Sequence, residues 1–191
     1  MLKSLKGHFL VASRKLNDLN FYRSVVLIVE HNEQGATGLI VNRPSSFSIT
    51  NALSRYFDMP KLEDMVFMGG PVEPNGMFAL HNAGDLEKST EAIVPDLFMG
   101  SSPEIFEQVI WRISEGDPNL DFRIFFGCAG WAPLQLESEI NRMDSIPLRP
   151  RKTSLKLTPM ISGTPCWIVP WQNDAFCLRK RHTPSGTDER C

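Results

Sequence analysis

The chain has 191 residues, of which 42% are hydrophobic and 22% are charged, and its formal net charge is −2 at pH 7. This length lets one domain bury its own core, and the composition is typical of a globular protein rather than a disordered one. The near-neutral charge gives no overall attraction to nucleic acid or to an anionic membrane, and no apolar run is long enough to span a bilayer. Because the start of the chain has no apolar signal segment, we expect a cytoplasmic protein without a membrane partner.

Residues 7–44 predict three strands of a buried sheet. Short apolar runs at residues 9–12, 25–29 and 39–41 each end at polar or turn-forming residues, as buried strands do. The connector between the last two runs, residues 30–38, is short enough for a hairpin. Residues 15–20 are polar and predict a loop before the second strand.

Further strands are predicted where short apolar runs end near Gly or His, and helices where apolar residues repeat with helical spacing. The strands are residues 65–68, 76–80 and 122–126, and the helices are residues 48–57, 103–114 and 134–140. The helix at 103–114 has the clearest start, since Ser101 or Ser102 can cap it and Pro103 suits its first turn. Residues 127–131 predict a tight turn.

Five motifs stand in order along residues 7–140. They are Gly-His-Phe-Leu-Val-Ala at 7–12, Gly-Ala-Thr-Gly at 35–38, Val-Asn-Arg-Pro at 41–44, Met-Gly-Gly-Pro-Val at 68–72, and the stretch from 126 to 140 that begins Phe-Gly-Cys-Ala-Gly-Trp. Together they resemble the YqgE/AlgH family of bacterial proteins. The resemblance implies a single α/β (α+β) domain over residues 1–151, with a coiled, bifurcated β-sheet core and flanking helices. It does not imply a particular activity; the label attached to the family is that of a transcriptional regulator.

Residues 152–191 depart from the family. They are net positive where residues 1–151 are net negative, they hold three of the four cysteines, and the family's short strand, loop and Trp-bearing helix are missing. For one choice of codons, a shifted reading frame would encode an acidic, Trp-bearing end that resembles the family's. We hypothesise that a frameshift near residues 144–152 replaced the native C-terminus. The alternative is a divergent native tail, and sequencing the gene distinguishes the two.

His31 and His81 each stand at the end of a predicted strand. If the two imidazoles converge with a carboxylate such as Glu137 or Glu139, they form a metal or hydrolase site. No His-x-His or His-x-x-x-His pair is present, and the alternative is that both histidines bind loop backbone. We therefore predict no metal and no cofactor, and keep a metal-dependent enzyme or hydrolase as an alternative function.

Cys128 lies between a predicted strand and a Gly-Trp turn, where a nucleophile would be exposed beside backbone N–H groups. This position is commonly Tyr in the YqgE/AlgH family, and Tyr cannot replace a nucleophilic thiol. The other interpretation is therefore a small buried residue. The remaining cysteines have no Cys-x-x-Cys spacing and are expected to be free thiols.

Three glycines, Gly69, Gly70 and Gly127, are candidates for ligand contact. They adjoin strand ends, where a turn can present N–H groups to an anion. The glycine motifs of dinucleotide-binding and phosphate-binding loops are absent from the sequence, so turn geometry alone is the other explanation.

A binding groove is predicted where two strand ends meet. Asn42 and Arg43 follow one strand, and Trp131 and Gln135 follow another. Side by side, these residues would supply amide hydrogen bonds, a charge and a flat apolar wall. Alternatively, Asn42 and Gln135 brace loops and Trp131 fills the core.

Three classes of function follow from these observations. The leading one is a non-catalytic binding or regulatory module for an unidentified protein or small ligand. The second is a hydrolase or metal-dependent enzyme using His31, His81 and a Glu. The third is a direct DNA-binding regulator, although direct binding of nucleic acid is not expected because the sequence contains no recognisable helix-turn-helix, zinc knuckle or basic stripe. The sequence does not determine the oligomeric state.

Overall fold

The computed structural model describes residues 3–13, 18–58, 61–86, 91–142 and 145–148. The strands in these ranges are β1 (Phe9–Ala12), β2 (Val25–Asn32), β3 (Gly35–Ile40), β4 (Pro44–Ser48), β5 (Met65–Met68), β6 (Val72–His81), β7 (Phe98–Gly100), β8 (Phe122–Trp131) and β9 (Ser145–Leu148). The helices are α1 (Ile49–Leu53), α2 (Pro103–Ser114) and α3 (Gln135–Asn141). The longest has 12 residues, and none of these helices could cross a bilayer. The hypotheses about residues 152–191 lie outside the described residues.

The strands form one curled sheet that divides at β8. The order along its main path is β4-β5-β8-β3-β2-β1-β9, and β6 branches from β8 and carries β7. The first part of β8 lies between β5, which is parallel to it, and β6, which is antiparallel. Its last three residues pair instead with β3. This arrangement confirms the expected α/β fold with a bifurcated sheet.

Among the described residues, three hydrophobic clusters fill the spaces between the layers of the fold. The central cluster joins the two arms of the sheet, with Leu27 and Leu39 from one arm and Phe67 and Phe125 from the other. A second cluster lies on the outer face of β1, β2 and β3, where α3 covers it through Leu136. The third packs α1 and α2 against β5, β6 and β8. Each helix therefore buries one apolar stripe on the outside of the curled sheet.

The alternation of side chains between the two faces of β8 shifts by one residue at Gly127. Phe125 and Cys128 both belong to the central cluster, although strict alternation would place residues three apart on opposite faces. Gly127 has a φ of 66°, a left-handed conformation that inserts an extra step into the alternation. Beyond it, Ala129 and Trp131 face α3. The predicted tight turn at 127–131 is therefore wrong, because the strand bends at Gly127 and continues to Trp131.

Other boundaries differ by a few residues. The hairpin between β2 and β3 is confirmed, but its turn is only Glu33 and Gln34, because both strands extend further than their apolar runs. The first predicted helix is shorter than expected, since α1 ends at Leu53 and the side chain of Tyr56 is 69% exposed. The start of α2 is confirmed, with the Ser102 side chain accepting the N–H of Ile105.

Candidate functional site

A pocket of about 270 Å³ lies between α3 and the loop at residues 18–24. Its apolar lining comes from the sheet and from that loop: Leu10, Ala12, Phe21, Val26 and Trp131. Its polar lining comes from the loop, α3 and the following segment: Asp18, Ser24, Gln135, Glu139, Arg142 and Ser145. The pocket thus combines an apolar surface with several hydrogen-bonding and charged groups, as ligand sites do.

Trp131, Gln135 and Glu139 form a hydrogen-bonded network in this pocket. Nε1 of Trp131 donates to Oε2 of Glu139 at 2.9 Å, and Nε2 of Gln135 donates to Oε1 of the same carboxylate at 3.0 Å. The N–H of Ala132 donates to Oε1 of Gln135 at 3.0 Å, which holds the amide in place. Both side chains that donate to the carboxylate are neutral, so their hydrogen bonds orient Glu139 without cancelling its charge.

The sequence of α3 explains why this network forms. Leu134 adopts a left-handed φ of 63° before the helix begins at Gln135. Gln135 and Glu139 are four residues apart and therefore lie on the same helical face. Leu136 and Ile140 pack on the outer cluster of the sheet and fix the rotation of the helix. The Gln135–Glu139 face is thereby turned toward the indole of Trp131.

The backbone of the loop at residues 18–24 is held by hydrogen bonds from Asn42 and Arg43. Asn42 Nδ2 donates to the carbonyl of Arg23, and Asn42 Oδ1 accepts the N–H of Val25, both at 2.9 Å. The guanidinium of Arg43 donates to two more loop carbonyls, at 2.7 and 3.2 Å. Asn42 and Arg43 do not line the pocket. They fix the backbone of the loop that does.

The loop brings Phe21 against Trp131. The two ring centroids are 6.0 Å apart, with an interplanar angle of 35°. The hydroxyl of Ser24 donates to the carbonyl of Phe21 at 2.8 Å, which stabilises the turn in the loop. The structure thus brings Trp131 and Gln135 together in the pocket, whereas Asn42 and Arg43 bind the backbone of the loop and are not part of the pocket lining.

The comparisons with known proteins decide the family. Residues 9–158 match the model of the AlgH-like family. The chain belongs to the AlgH-like family. UPF0301 proteins of Chlorobaculum tepidum and Chlorobium luteolum are each 37% identical to it, and each match covers 70% of this chain and 68% of the relative. A UPF0301 protein of Myxococcus xanthus is 36% identical over 143 residues, covering 73% of this chain and 75% of the relative.

Solved structures share this AlgH-like fold. The solution structure of the AlgH protein from Pseudomonas aeruginosa is 31% identical in sequence, with a TM-score of 0.63 over 82% of this chain and 85% of that one. A crystal structure of a protein from Corynebacterium diphtheriae has a TM-score of 0.58 over 78% of this chain and 77% of its own. At 23% identity, the second supports the fold alone.

The three candidate glycines lie outside the pocket, where the chain leaving β5 crosses β8. The N–H of Gly69 donates to the carbonyl of Phe126 at 2.7 Å. A Cβ on Gly69 would collide with the carbonyl oxygen of Gly127, and a Cβ on Gly127 would collide with that of Gly70. A Cβ on Gly70 would meet the carbonyl of Cys128. We call this site the glycine crossing; contact of backbone with backbone is sufficient to explain its glycines.

His31 is buried and both of its ring nitrogens are engaged. Nδ1 accepts the N–H of Leu5 at 2.9 Å, so Nε2 carries the proton of the neutral ring and donates to Oε1 of Glu137, also at 2.9 Å. The hydroxyl of Ser4 donates to the His31 carbonyl at 3.0 Å. His31 therefore connects the N-terminal segment to α3.

His81 lies far from His31. It is 0% exposed, stacks on Phe98 and pairs with Phe122 at the start of β8. His31 pairs with Ala36, which pairs with Trp131 at the other end of β8. The strand between these ends would be on the order of 30 Å long if it were straight. The structure therefore does not bring the two histidines together, and among the described residues no three His, Cys, Asp or Glu side chains are grouped to hold a metal.

Cys128 is 6% exposed and belongs to the central cluster. Burial raises the pKa of its thiol, and the negative charge of Glu73 raises it further. A nucleophilic cysteine needs the opposite, because the thiolate is the reactive form. The structure favours the interpretation of Cys128 as a small buried residue.

The contribution of the loop at 18–24 to the pocket lining is not apparent from the sequence. Asp18, Phe21 and Ser24 stand in a polar stretch whose local pattern indicates only a loop, and nothing in that pattern shows that Phe21 reaches Trp131. The sequence marks Glu139 as a polar candidate, but it does not indicate that its carboxylate binds the indole of Trp131. The spacing of four residues between Gln135 and Glu139 is the signal that could have linked them.

Proposed function

We propose that this AlgH-like chain is a non-catalytic binding module that captures a protein or a small ligand in the pocket between α3 and the loop at 18–24. The observation that carries the proposal is the network of Trp131, Gln135 and Glu139, whose groups are held in place by one another and by the backbone. Groups that are ordered before a ligand arrives lose less entropy when it binds. Buried Trp side chains are also frequent energetic centres of interfaces.

The regulatory part of the proposal rests on the resemblance to the YqgE/AlgH family, to which the label of transcriptional regulator is attached. A binding module can act in regulation by recruiting or sequestering a partner. The pocket supplies the recognition step of such a role, and the partner supplies the contact with the transcription machinery.

The arrangement of reactive groups supports binding over catalysis. Within the described lining, the hydroxyl of Ser24 donates to a backbone carbonyl rather than to a base. The carboxylate of Glu139 already accepts from two side chains. His31, outside the pocket, has both ring nitrogens occupied. A nucleophile activated by an adjacent base is the usual requirement of covalent catalysis, and these contacts do not supply such a pair.

The charges around the pocket support a partner other than DNA. The pocket is lined by the carboxylates of Asp18 and Glu139, which repel phosphate and outnumber the one guanidinium of the described lining, that of Arg142. The exposed positions of α2 include Glu104 and Glu107, so this helix does not present a basic face to a major groove. In this proposal, any effect on transcription is exerted by the bound partner.

Affinity capture from a bacterial lysate tests the proposal when wild type is compared with matched variants. Gln135→Ala removes a network residue, and Gln108→Ala removes an exposed glutamine from α2, outside the pocket lining. We expect a partner retained by wild type and by Gln108→Ala, and reduced at least about tenfold by Gln135→Ala. A partner retained equally by both variants would show that the pocket is not the binding site.

A further inference from the structure

The size of the pocket limits its ligand. Its volume of about 270 Å³ is below the range of roughly 300–1,000 Å³ that is usual for sites of drug-sized ligands. A nucleotide or a comparable cofactor would extend well beyond it. One long amino-acid side chain fits this volume, so the pocket suits a single side chain presented by a partner.

The charge of the pocket limits its ligand further. Asp18 and Glu139 contribute two carboxylates to the lining, and Arg142 contributes one guanidinium. Oδ1 of Asp18 accepts a backbone N–H, that of Asn20, at 2.7 Å, and Glu139 accepts only from neutral side chains in the network. These hydrogen bonds orient the two carboxylates but leave their negative charge in place.

The aromatic and aliphatic lining favours the same kind of ligand. The faces of Trp131 and Phe21 attract cations through their ring quadrupoles. Leu10 and Val26 supply an apolar surface for the methylene stem of a long charged side chain. An anion would be repelled by the carboxylates, and a neutral apolar group would desolvate them without giving them a partner.

We propose that the pocket receives one cationic side chain, the guanidinium of an Arg or the ammonium of a Lys, carried by a partner protein. This inference rests on the proposed function and identifies the chemistry of its ligand. The charged head lies between the carboxylates of Asp18 and Glu139, and the stem lies along Trp131.

The test is a titration followed through the indole N–H signals in NMR spectra of the ¹⁵N-labelled full chain. The probes are N-acetyl-arginine amide, N-acetyl-lysine amide and the neutral isostere N-acetyl-citrulline amide, with Trp131→Phe used to assign the signal of Trp131. We expect the arginine probe to shift that signal with millimolar affinity and the citrulline probe to bind at least about tenfold more weakly. The indole of Trp111, which is 59% exposed on α2, is the internal control and should not shift.

Charge-removing variants locate the binding site. Asp18→Asn keeps an oxygen that can accept the N–H of Asn20, and it should weaken the arginine probe at least about fivefold without unfolding the loop. Glu139→Gln should weaken it similarly, although it also removes one of the two acceptors of the network. Glu107→Gln on α2 is the matched control and should leave the affinity unchanged.

Three results would overturn the inference: equal binding of the arginine and citrulline probes, stronger binding of N-acetyl-glutamate, or an unmoved Trp131 signal at about 50 mM of every cationic probe. These failures are distinguishable from failure of the proposed function. If the probes fail but Gln135→Ala still loses a lysate partner, the pocket binds another chemistry. If the probes bind but no partner depends on Gln135, the proposed function is wrong.

Discussion

The glycine crossing and the pocket are held together by different interactions, although both belong to motifs that resemble the same family. At the crossing, Gly69, Gly70 and Gly127 put backbone directly against backbone, and no side chain could be added. In the pocket, Trp131 and Glu139 are held by hydrogen bonds between side chains. The crossing lies where the chain leaving β5 passes β8, whereas the Gln135 amide and the Glu139 carboxylate lie on α3 and take no part in strand pairing. Motif residues of one family thus separate into those that build the sheet and those that present chemistry.

The largest expected effect is at the crossing. Gly127→Ala adds a Cβ that collides with the carbonyl of Gly70, at a residue whose φ is 66°. We expect the free energy of unfolding to fall by at least about 3 kcal/mol, measured by urea denaturation.

Gly116→Ala is the matched control for this substitution. Gly116 has a similar φ of 70°, but a Cβ there meets nothing within 4 Å. Its cost should be only the strain of the left-handed backbone, about 1–2 kcal/mol. Equal losses in the two variants would mean that backbone contact does not stabilise the crossing.

An intermediate effect is expected for Asn42, which supports the pocket without lining it. Asn42→Ala leaves the carbonyl of Arg23 and the N–H of Val25 without their side-chain partner, and should lower the free energy of unfolding by about 1–2 kcal/mol. Hydrogen exchange at residues 18–24 should accelerate, and affinity for the pocket's ligand should fall because the loop is no longer held.

The control is Asn51→Ala on an exposed position of α1, which should change stability by no more than about 0.5 kcal/mol. If Asn42→Ala lowers stability but leaves exchange in the loop and ligand affinity unchanged, the loop does not depend on its bracing. The pocket would then be independent of the residues behind it.

The smallest effect is expected for the pH dependence of stability at Cys128, beside the crossing. Because burial raises the pKa of this thiol above its ordinary value of 9.0, the unfolded chain ionises there first. The stabilising contribution is present below pH 9 and is lost as the pH rises toward the pKa of the folded state. The difference in unfolding free energy between wild type and Cys128→Ala should therefore shrink above pH 9, while other titrating groups cancel in the comparison. A constant difference from pH 8 to 10.5 would show that water reaches the thiol.

Local sequence was sufficient for much of the fold. The apolar runs of β1 and β2 are short and bounded by polar residues, and the start of α2 is fixed by Ser102 and Pro103 in direct succession. Such signals act over a few residues, so they can be recognised in the sequence without the rest of the structure. The end of β8 could not be predicted in this way, because a glycine at which a strand bends and a glycine in a tight turn occur in similar local sequences.

The pocket could be predicted only in part. Gln135 and Trp131 were expected together because they are close in the chain, and the structure places them together. Asn42 was expected beside them, but its amide is used by the loop at 18–24. The sequence allows the two histidines to form one site, but the structure separates them: His81 pairs with Phe122 at the start of β8, and His31 pairs with Ala36 of β3, which pairs with Trp131 at the other end of β8. Proximity between distant segments depends on strand order, which local patterns do not contain.

Side-chain type and short-range spacing were sufficient for most of the elements, for the family and for the residues able to take part in chemistry, but they did not indicate β4, β7 or β9. Which of those residues meet depends on how the distant segments of the chain pack together. The pairing of β8 with β3 places Trp131 beneath α3, and the bracing by Asn42 and Arg43 sets the loop that carries Phe21 to it. These contacts join segments that are far apart in the chain. The relative positions of those segments are fixed by the curl of the sheet and the packing of its hydrophobic clusters.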